Sequence, residues 1–79
     1  MPNKIISMAK LNELATILDS KFKRVTVWGN EFNAFVECKG ACRPSKRVEK
    51  ILADLGLKIT KQRWSEGSDY SGYYYWIAE

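Results

Sequence analysis

The sequence predicts a single α+β domain over residues 1–79, a two-layer sandwich in which two helices cover one face of a four-stranded antiparallel sheet. Two segments carry apolar residues at helical spacing. Each is followed by two strand-like segments with turn-forming or polar residues between them, which gives the order αββαββ. A chain of 79 residues has room for one domain, and its hydrophobic fraction of 46% is sufficient for a folded core.

Both helices are predicted from their apolar faces and their ends. Ser7 is a suitable N-cap for a helix from Met8 to about Ser20, and the second helix begins at Pro44 or Ser45 and ends near Leu55. Gly56 is a typical helix stop, and Leu57 follows it as the apolar contact. The two apolar faces consist of Leu11, Leu14, Ala15 and Leu18, and of Val48, Ile51, Leu52 and Leu55.

The first hairpin is predicted from Val25 to Cys38, with Gly29-Asn30 as a two-residue turn and a second strand that begins at Phe32. This turn would place Val27 opposite Phe32. Because side chains alternate along a strand, one face then carries the apolar set Val25, Val27, Phe32, Ala34, Val36 and Cys38. The other face carries Trp28 and Phe35, two aromatic residues that the core does not need.

The second hairpin is predicted from strands 57–64 and 73–78, joined by the polar loop 65–72. We expect Tyr73, Tyr75 and Ile77 to face the helices, so that Tyr74 and Trp76 lie on the sheet face that no helix covers. We call this second face the open face.

The two halves of the chain resemble each other in the order of their elements. The helical apolar positions of segment 8–38 match those of segment 45–78 at an offset of 37 residues. The sequence therefore predicts an internal αββ repeat, with a chance match of two common units as the alternative.

Positive charge is concentrated in one part of the chain. The formal net charge is +4, but segment 39–63 has eight basic and two acidic residues, a net charge of +6. Such a distribution suits polyanions or acidic protein surfaces, and it also suits plain solubility. A helix N-terminus attracts anions, so we predict a nucleic-acid or anion site that also includes two basic residues of the third strand: Lys39, Arg43, Ser45, Lys46, Arg47, Lys61 and Arg63. The alternative is a solvated helix start.

The aromatic residues predicted on the open face are Trp28, Phe35, Tyr74 and Trp76. Three interpretations stay open for them. They stabilise cross-strand pairs, they form a protein interface such as a homodimer, or they stack against nucleic-acid bases.

Motifs for catalysis, metals and cofactors are not found in the sequence. The chain has no histidine, and the spacing of Cys38 and Cys42 supplies only two of the four ligands that zinc needs. We expect Cys38 in the core and Cys42 as a loop thiol. No segment reads as a signal peptide or membrane span, so we expect a cytoplasmic protein with reduced cysteines and no membrane partner.

These observations predict a small non-enzymatic binding protein without a cofactor. The first hypothesis is association with nucleic acid through the basic segment 39–63 and the open-face aromatics. The alternative is a virus- or plasmid-encoded inhibitor or adaptor that binds a host protein or nucleoprotein complex.

Overall fold

The computed structural model describes residues 3–66 and 71–79. Its elements, in chain order, are α1 (Met8–Lys21), β1 (Val25–Gly29), β2 (Ala34–Lys39), α2 (Lys46–Asp54), β3 (Lys58–Glu66) and β4 (Ser71–Ala78). The strands form one antiparallel sheet in the order β1-β2-β4-β3. The predicted α+β fold, with its αββαββ order, is confirmed. Within these described ranges, neither helix combines the length and the apolar character needed to cross a membrane.

The core lies between the helices and one face of the sheet. The leucines of α1 and the apolar residues of α2 join the inward side chains of the strands in one buried cluster, as the predicted spacing requires. Its central members are Leu14, Leu18, Val36, Val48, Leu52, Tyr75 and Ile77, all without measurable exposure. Burying each such side chain stabilises the fold by about 1.5–3 kcal/mol.

The predicted N-cap of α1 is confirmed, and α2 also begins with a serine cap, at one of the two residues predicted for its start. The Ser7 hydroxyl accepts a hydrogen bond from the Lys10 N–H at 3.2 Å, and the Ser45 hydroxyl accepts one from the Val48 N–H at 3.3 Å. The end of α2 also follows the prediction. Gly56 has a φ of +75°, and the next residue, Leu57, donates its N–H to the Leu52 carbonyl at 2.9 Å.

The predicted two-residue turn at Gly29-Asn30 is wrong, as is the register derived from it. Gly29 pairs with Ala34, Val27 pairs with Val36, and a four-residue loop, 30–33, connects the strands. The Asn30 side chain closes this loop, because its Oδ1 accepts hydrogen bonds from the N–H groups of Phe32 and Asn33. Phe32 therefore lies in the loop, 46% exposed, and not in the core.

The register error leaves the two faces of the hairpin as predicted, because the shift is an even number of residues. Val25 and Val36 still face the helices, whereas Trp28 and Phe35 lie on the open face. Gly29, at the end of β1, has a φ of +107°, and a side chain there would collide with the carbonyl oxygen of Asn33.

The second hairpin is longer than predicted. Strand β3 extends to Glu66 and β4 begins at Ser71, so both strands reach into the segment predicted as loop 65–72. The central part of that predicted loop lies outside the described residues.

Tyr75 connects the middle of the sheet to the start of α2. Its hydroxyl accepts a hydrogen bond from the Ser45 N–H at 2.7 Å and donates one to Glu49 Oε2 at 2.8 Å. Burial, followed by the hydrogen bond to Glu49, raises the pKa of this hydroxyl, which therefore stays protonated as a donor. One buried side chain thus positions α2 against β4.

We expect Tyr75→Phe to lower the free energy of unfolding by about 1–3 kcal/mol, because the Ser45 N–H and the Glu49 carboxylate both lose a partner. The matched control is Tyr73→Phe, whose hydroxyl bonds to the exposed Gln62 side chain and whose loss should cost less than about 0.5 kcal/mol. Urea unfolding of the two variants measures the difference. Equal costs would contradict this role of Tyr75.

Candidate binding surface on the open face

One row of side chains crosses the open face from edge to edge. Trp28 on β1 lies opposite Phe35 on β2, which lies opposite Trp76 on β4. Lys61 on β3 completes the row opposite Trp76, with its Nζ 4.9 Å from the centroid of the indole ring. The centroids of the Phe35 and Trp76 rings are 5.6 Å apart. The row is therefore an aromatic surface that ends in a cation.

A second row lies beside the first and adds one more aromatic ring. Glu37 on β2 lies opposite Tyr74 on β4, and Arg63 on β3 lies opposite Tyr74. The Tyr74 ring packs 6.1 Å from Phe35 and 6.2 Å from Trp76, centroid to centroid. Tyr74, Phe35 and Trp76 thus form one half-buried cluster in the middle of the open face.

Glu37 lies between two of the aromatic side chains and holds both. Its Oε1 accepts a hydrogen bond from the Trp28 indole N–H at 2.9 Å, and its Oε2 accepts one from the Tyr74 hydroxyl at 3.1 Å. These bonds link β1 to β4 across β2. The negative charge stands in the middle of the surface, and positive charges stand at its β3 edge.

A β-bulge in the edge strand decides which charged residues belong to the open face. Ile59 pairs with Ile77 and Lys61 pairs with Trp76, which leaves Thr60 as an extra residue without a partner in the register. Without the bulge, simple alternation from Ile59 would turn Lys61 and Arg63 towards the helix side. The bulge instead places both cations beside the aromatic cluster.

A shallow cleft of about 280 Å³ opens on this surface. It is lined by Phe35, Arg63, Ser65, Tyr74 and Trp76. Its volume lies just below the range of about 300–1,000 Å³ that is typical for sites that enclose drug-sized molecules. The cleft suits a flat ring that rests against the surface better than it suits an enclosed small molecule.

The remaining residues of the predicted nucleic-acid or anion site do not lie together in the structure. Lys39 is exposed on the open face at the end of β2, opposite Gly72, whereas Arg43 lies exposed in the following loop and Lys46 is exposed at the start of α2. Ser45 bonds to Val48 and Tyr75, as described above. Only Lys39, Lys61 and Arg63 of the predicted set therefore share the open face with the aromatic residues.

Arg47 lies on the helix side of the molecule. Its guanidinium carbon is 4.8 Å from the centroid of the Phe22 ring, at a cleft of about 250 Å³ between the two helices. The other residues that line this cleft are Lys21, Lys50, Ile51 and Asp54. Sequence reasoning missed this contact, because nothing local in the sequence brings Phe22 near Arg47.

The cysteines occupy the predicted positions. Cys38 is 3% exposed in the core and Cys42 is exposed in the loop, and both thiols are free. Burial, with a smaller contribution from the nearby Glu37 charge, raises the pKa of Cys38 to about 11. Within residues 3–66 and 71–79, no three or more His, Cys, Asp or Glu side chains are grouped to hold a metal ion.

Comparisons of the chain with protein-family models, with curated proteins and with solved structures find no match.

We expect one thiol per folded chain to react with a thiol reagent at about pH 8, because the Cys42 thiol is exposed whereas Cys38 is buried and protonated. The absorbance of the aromatic thiolate that the reagent releases gives the number of reacted thiols per chain. Denatured protein should give two. Two rapidly reacting thiols in the folded protein would contradict the placement of Cys38.

We expect Phe35→Ala to lower the free energy of unfolding by about 1–3 kcal/mol, because Phe35 packs against both Tyr74 and Trp76. Trp28→Ala should cost less than about 1 kcal/mol, since Trp28 is 49% exposed. Denaturant unfolding compares the two. A larger cost for Trp28→Ala would show that this indole serves the fold and not a ligand.

Proposed function

We propose that this protein binds single-stranded nucleic acid on the open face of its sheet. The observation that carries the proposal is the row in which Trp28, Phe35 and Trp76 cross the face and Lys61 ends it. Nucleobases stack on exposed aromatic rings with about 1–3 kcal/mol per base, whatever their sequence. The cations at the β3 edge are of the kind that neutralises phosphates.

The positions of the basic side chains support a path for the nucleic-acid strand across the open face. Lys61 and Arg63 follow each other along β3, and Lys39 lies at the end of β2. A nucleic-acid backbone that follows the β3 edge meets Lys61 and Arg63, and its bases then point across the sheet towards Trp76 and Phe35. Phosphates are kept away from the middle of the face by the Glu37 carboxylate.

Duplex nucleic acid fits this surface less well. Its bases are stacked inside the helix and cannot lie on aromatic rings, and reading a duplex groove needs a protruding helix or ribbon. The open face is a sheet surface whose candidate contacts are the aromatic side chains of β1, β2 and β4.

A second candidate function is protein binding, as an inhibitor or adaptor that acts on a host protein or nucleoprotein complex. The observation that favours it is the nearly half-exposed Trp28, which bonds to the same carboxylate as Tyr74, on a face that also carries Arg63 at its opposite edge. Trp, Tyr and Arg are the residues most enriched in interface hot spots. A homodimer through the open face is the simplest form of this alternative.

The first test is the affinity of the protein for fluorescently labelled single-stranded and duplex oligonucleotides, measured by anisotropy. We expect saturable single-strand binding and weaker duplex binding. Trp28→Ala should weaken single-strand binding about tenfold, since one stacked base is lost. Trp64→Ala is the matched control. Trp64 is 48% exposed, almost as much as Trp28, but it pairs with Tyr73 on the helix side.

Salt dependence tests the charged edge. Single-strand binding weakens with salt by a slope of about 0.7 for each neutralised phosphate. Replacing Lys61 and Arg63 with alanine should therefore flatten the logarithmic slope by about 1.4. The control replaces Lys21 and Lys50, two exposed lysines at the cleft between the helices, and should leave the slope unchanged.

Two results would overturn the proposal. One is equal weakening by Trp28→Ala and Trp64→Ala, which would detach binding from the open face. The other is a free protein that sediments as a dimer with Trp28 and Trp76 protected from solvent and does not bind single strands.

A further inference from the structure

We propose that Glu37 makes the open face select guanine among the bases of a single strand. This inference rests on the proposed single-strand binding. It concerns the carboxylate in the middle of the surface, which stacking and phosphate contacts do not use.

The Glu37 carboxylate has acceptor capacity left. An ionised carboxylate has about four acceptor positions on its two oxygens. The Trp28 indole N–H occupies one position on Oε1, and the Tyr74 hydroxyl occupies one on Oε2. The two bonds also fix the orientation of the carboxylate, so the remaining positions are held in place before a ligand arrives.

The position of Glu37 brings these acceptors to the edge of a stacked base. Glu37 follows Phe35 by two residues on β2, so both side chains project from the same face. A base that lies on the Phe35 and Trp76 rings therefore has the carboxylate at its side. In a single strand, the Watson–Crick edge of a base is free for such contacts, because no complementary strand covers it.

Guanine is the base whose edge matches two fixed acceptors. Its N1–H and exocyclic N2–H₂ are adjacent donors and can bond to one carboxylate together. Cytosine and adenine offer one amino group each on that edge, and thymine or uracil offers a single N3–H. Each of these three also presents acceptor atoms that face the negative charge, which costs binding.

The test uses the wild-type protein and thymidine oligonucleotides of about eight nucleotides that differ only in one central base. We expect the oligonucleotide with a central guanine to bind about tenfold or more tightly than those with thymine, adenine or cytosine. Fluorescence anisotropy at fixed salt measures the four affinities.

The variant Glu37→Gln tests whether this carboxylate causes the guanine preference. The amide can still accept from Trp28 and can donate to Tyr74, so both links survive. It now offers one acceptor and one donor, which no longer match the two adjacent donors of guanine. The guanine preference should therefore fall about tenfold or more. Glu13→Gln, on α1, removes the same charge from the helix side and should leave the preference unchanged.

The outcomes separate this inference from the proposed function. Equal affinity for the four oligonucleotides would overturn the guanine preference and leave single-strand binding intact. A guanine preference that survives Glu37→Gln would also overturn it, because another group would then read the base. Absence of binding to every oligonucleotide would overturn both.

Discussion

The pairing of β2 with β4 in the middle of the sheet is the constraint on which the other features depend. Each residue pair along these strands faces one side or the other. Val36 and Tyr75 meet beneath the helices, whereas Phe35 and Trp76 meet on the open face. Because adjacent residues of a strand point to opposite faces, the one β2–β4 register decides both which side chains enter the core and which form the aromatic surface. A slip by one residue would exchange them.

This arrangement gives the candidate site a rigid support. Phe35, Tyr74 and Trp76 stand on the two central strands, and the reverse side of those strands packs into the core beneath α1 and α2. Tyr75 connects β4 to the first turn of α2, and Glu37 connects Trp28 to Tyr74 through hydrogen bonds. The exposed rings therefore lose little conformational freedom when a flat ligand stacks on them, and this lowers the cost of binding. The bulge at Thr60 adds the cations to the edge of this surface, and lysines and bulges also discourage edge-to-edge aggregation of β3.

Local patterns in the sequence predict most of the fold. The Ser7 cap, the Gly56 stop and the apolar stripes of the helices depend on neighbours within a few residues, and all are found. Alternation also predicts that one half of strand 73–78 leaves the core, and the expectation that Ile77 faces the helices makes Tyr74 and Trp76 part of that half. The hairpin register does not follow from the strand pattern, since the four-residue loop is closed by the Asn30 side chain together with a hydrogen bond from the Asn30 N–H to the Asn33 carbonyl. The bulge at Thr60 and the contact of Arg47 with Phe22 depend on partners distant in sequence, which a local pattern does not contain.

The internal αββ repeat remains a prediction. The proposed function depends on a ligand that binds to the open face. The most direct measurement is the change in ¹⁵N–¹H spectra when an unlabelled single-stranded oligonucleotide is added to labelled protein. If the strand binds to the open face, the indole signals of Trp28 and Trp76 shift together with amides of β2 and β4, while the Trp64 indole signal stays in place. Shifts confined to Trp64 and the helices, or no shifts in a folded protein at saturating oligonucleotide, would contradict it.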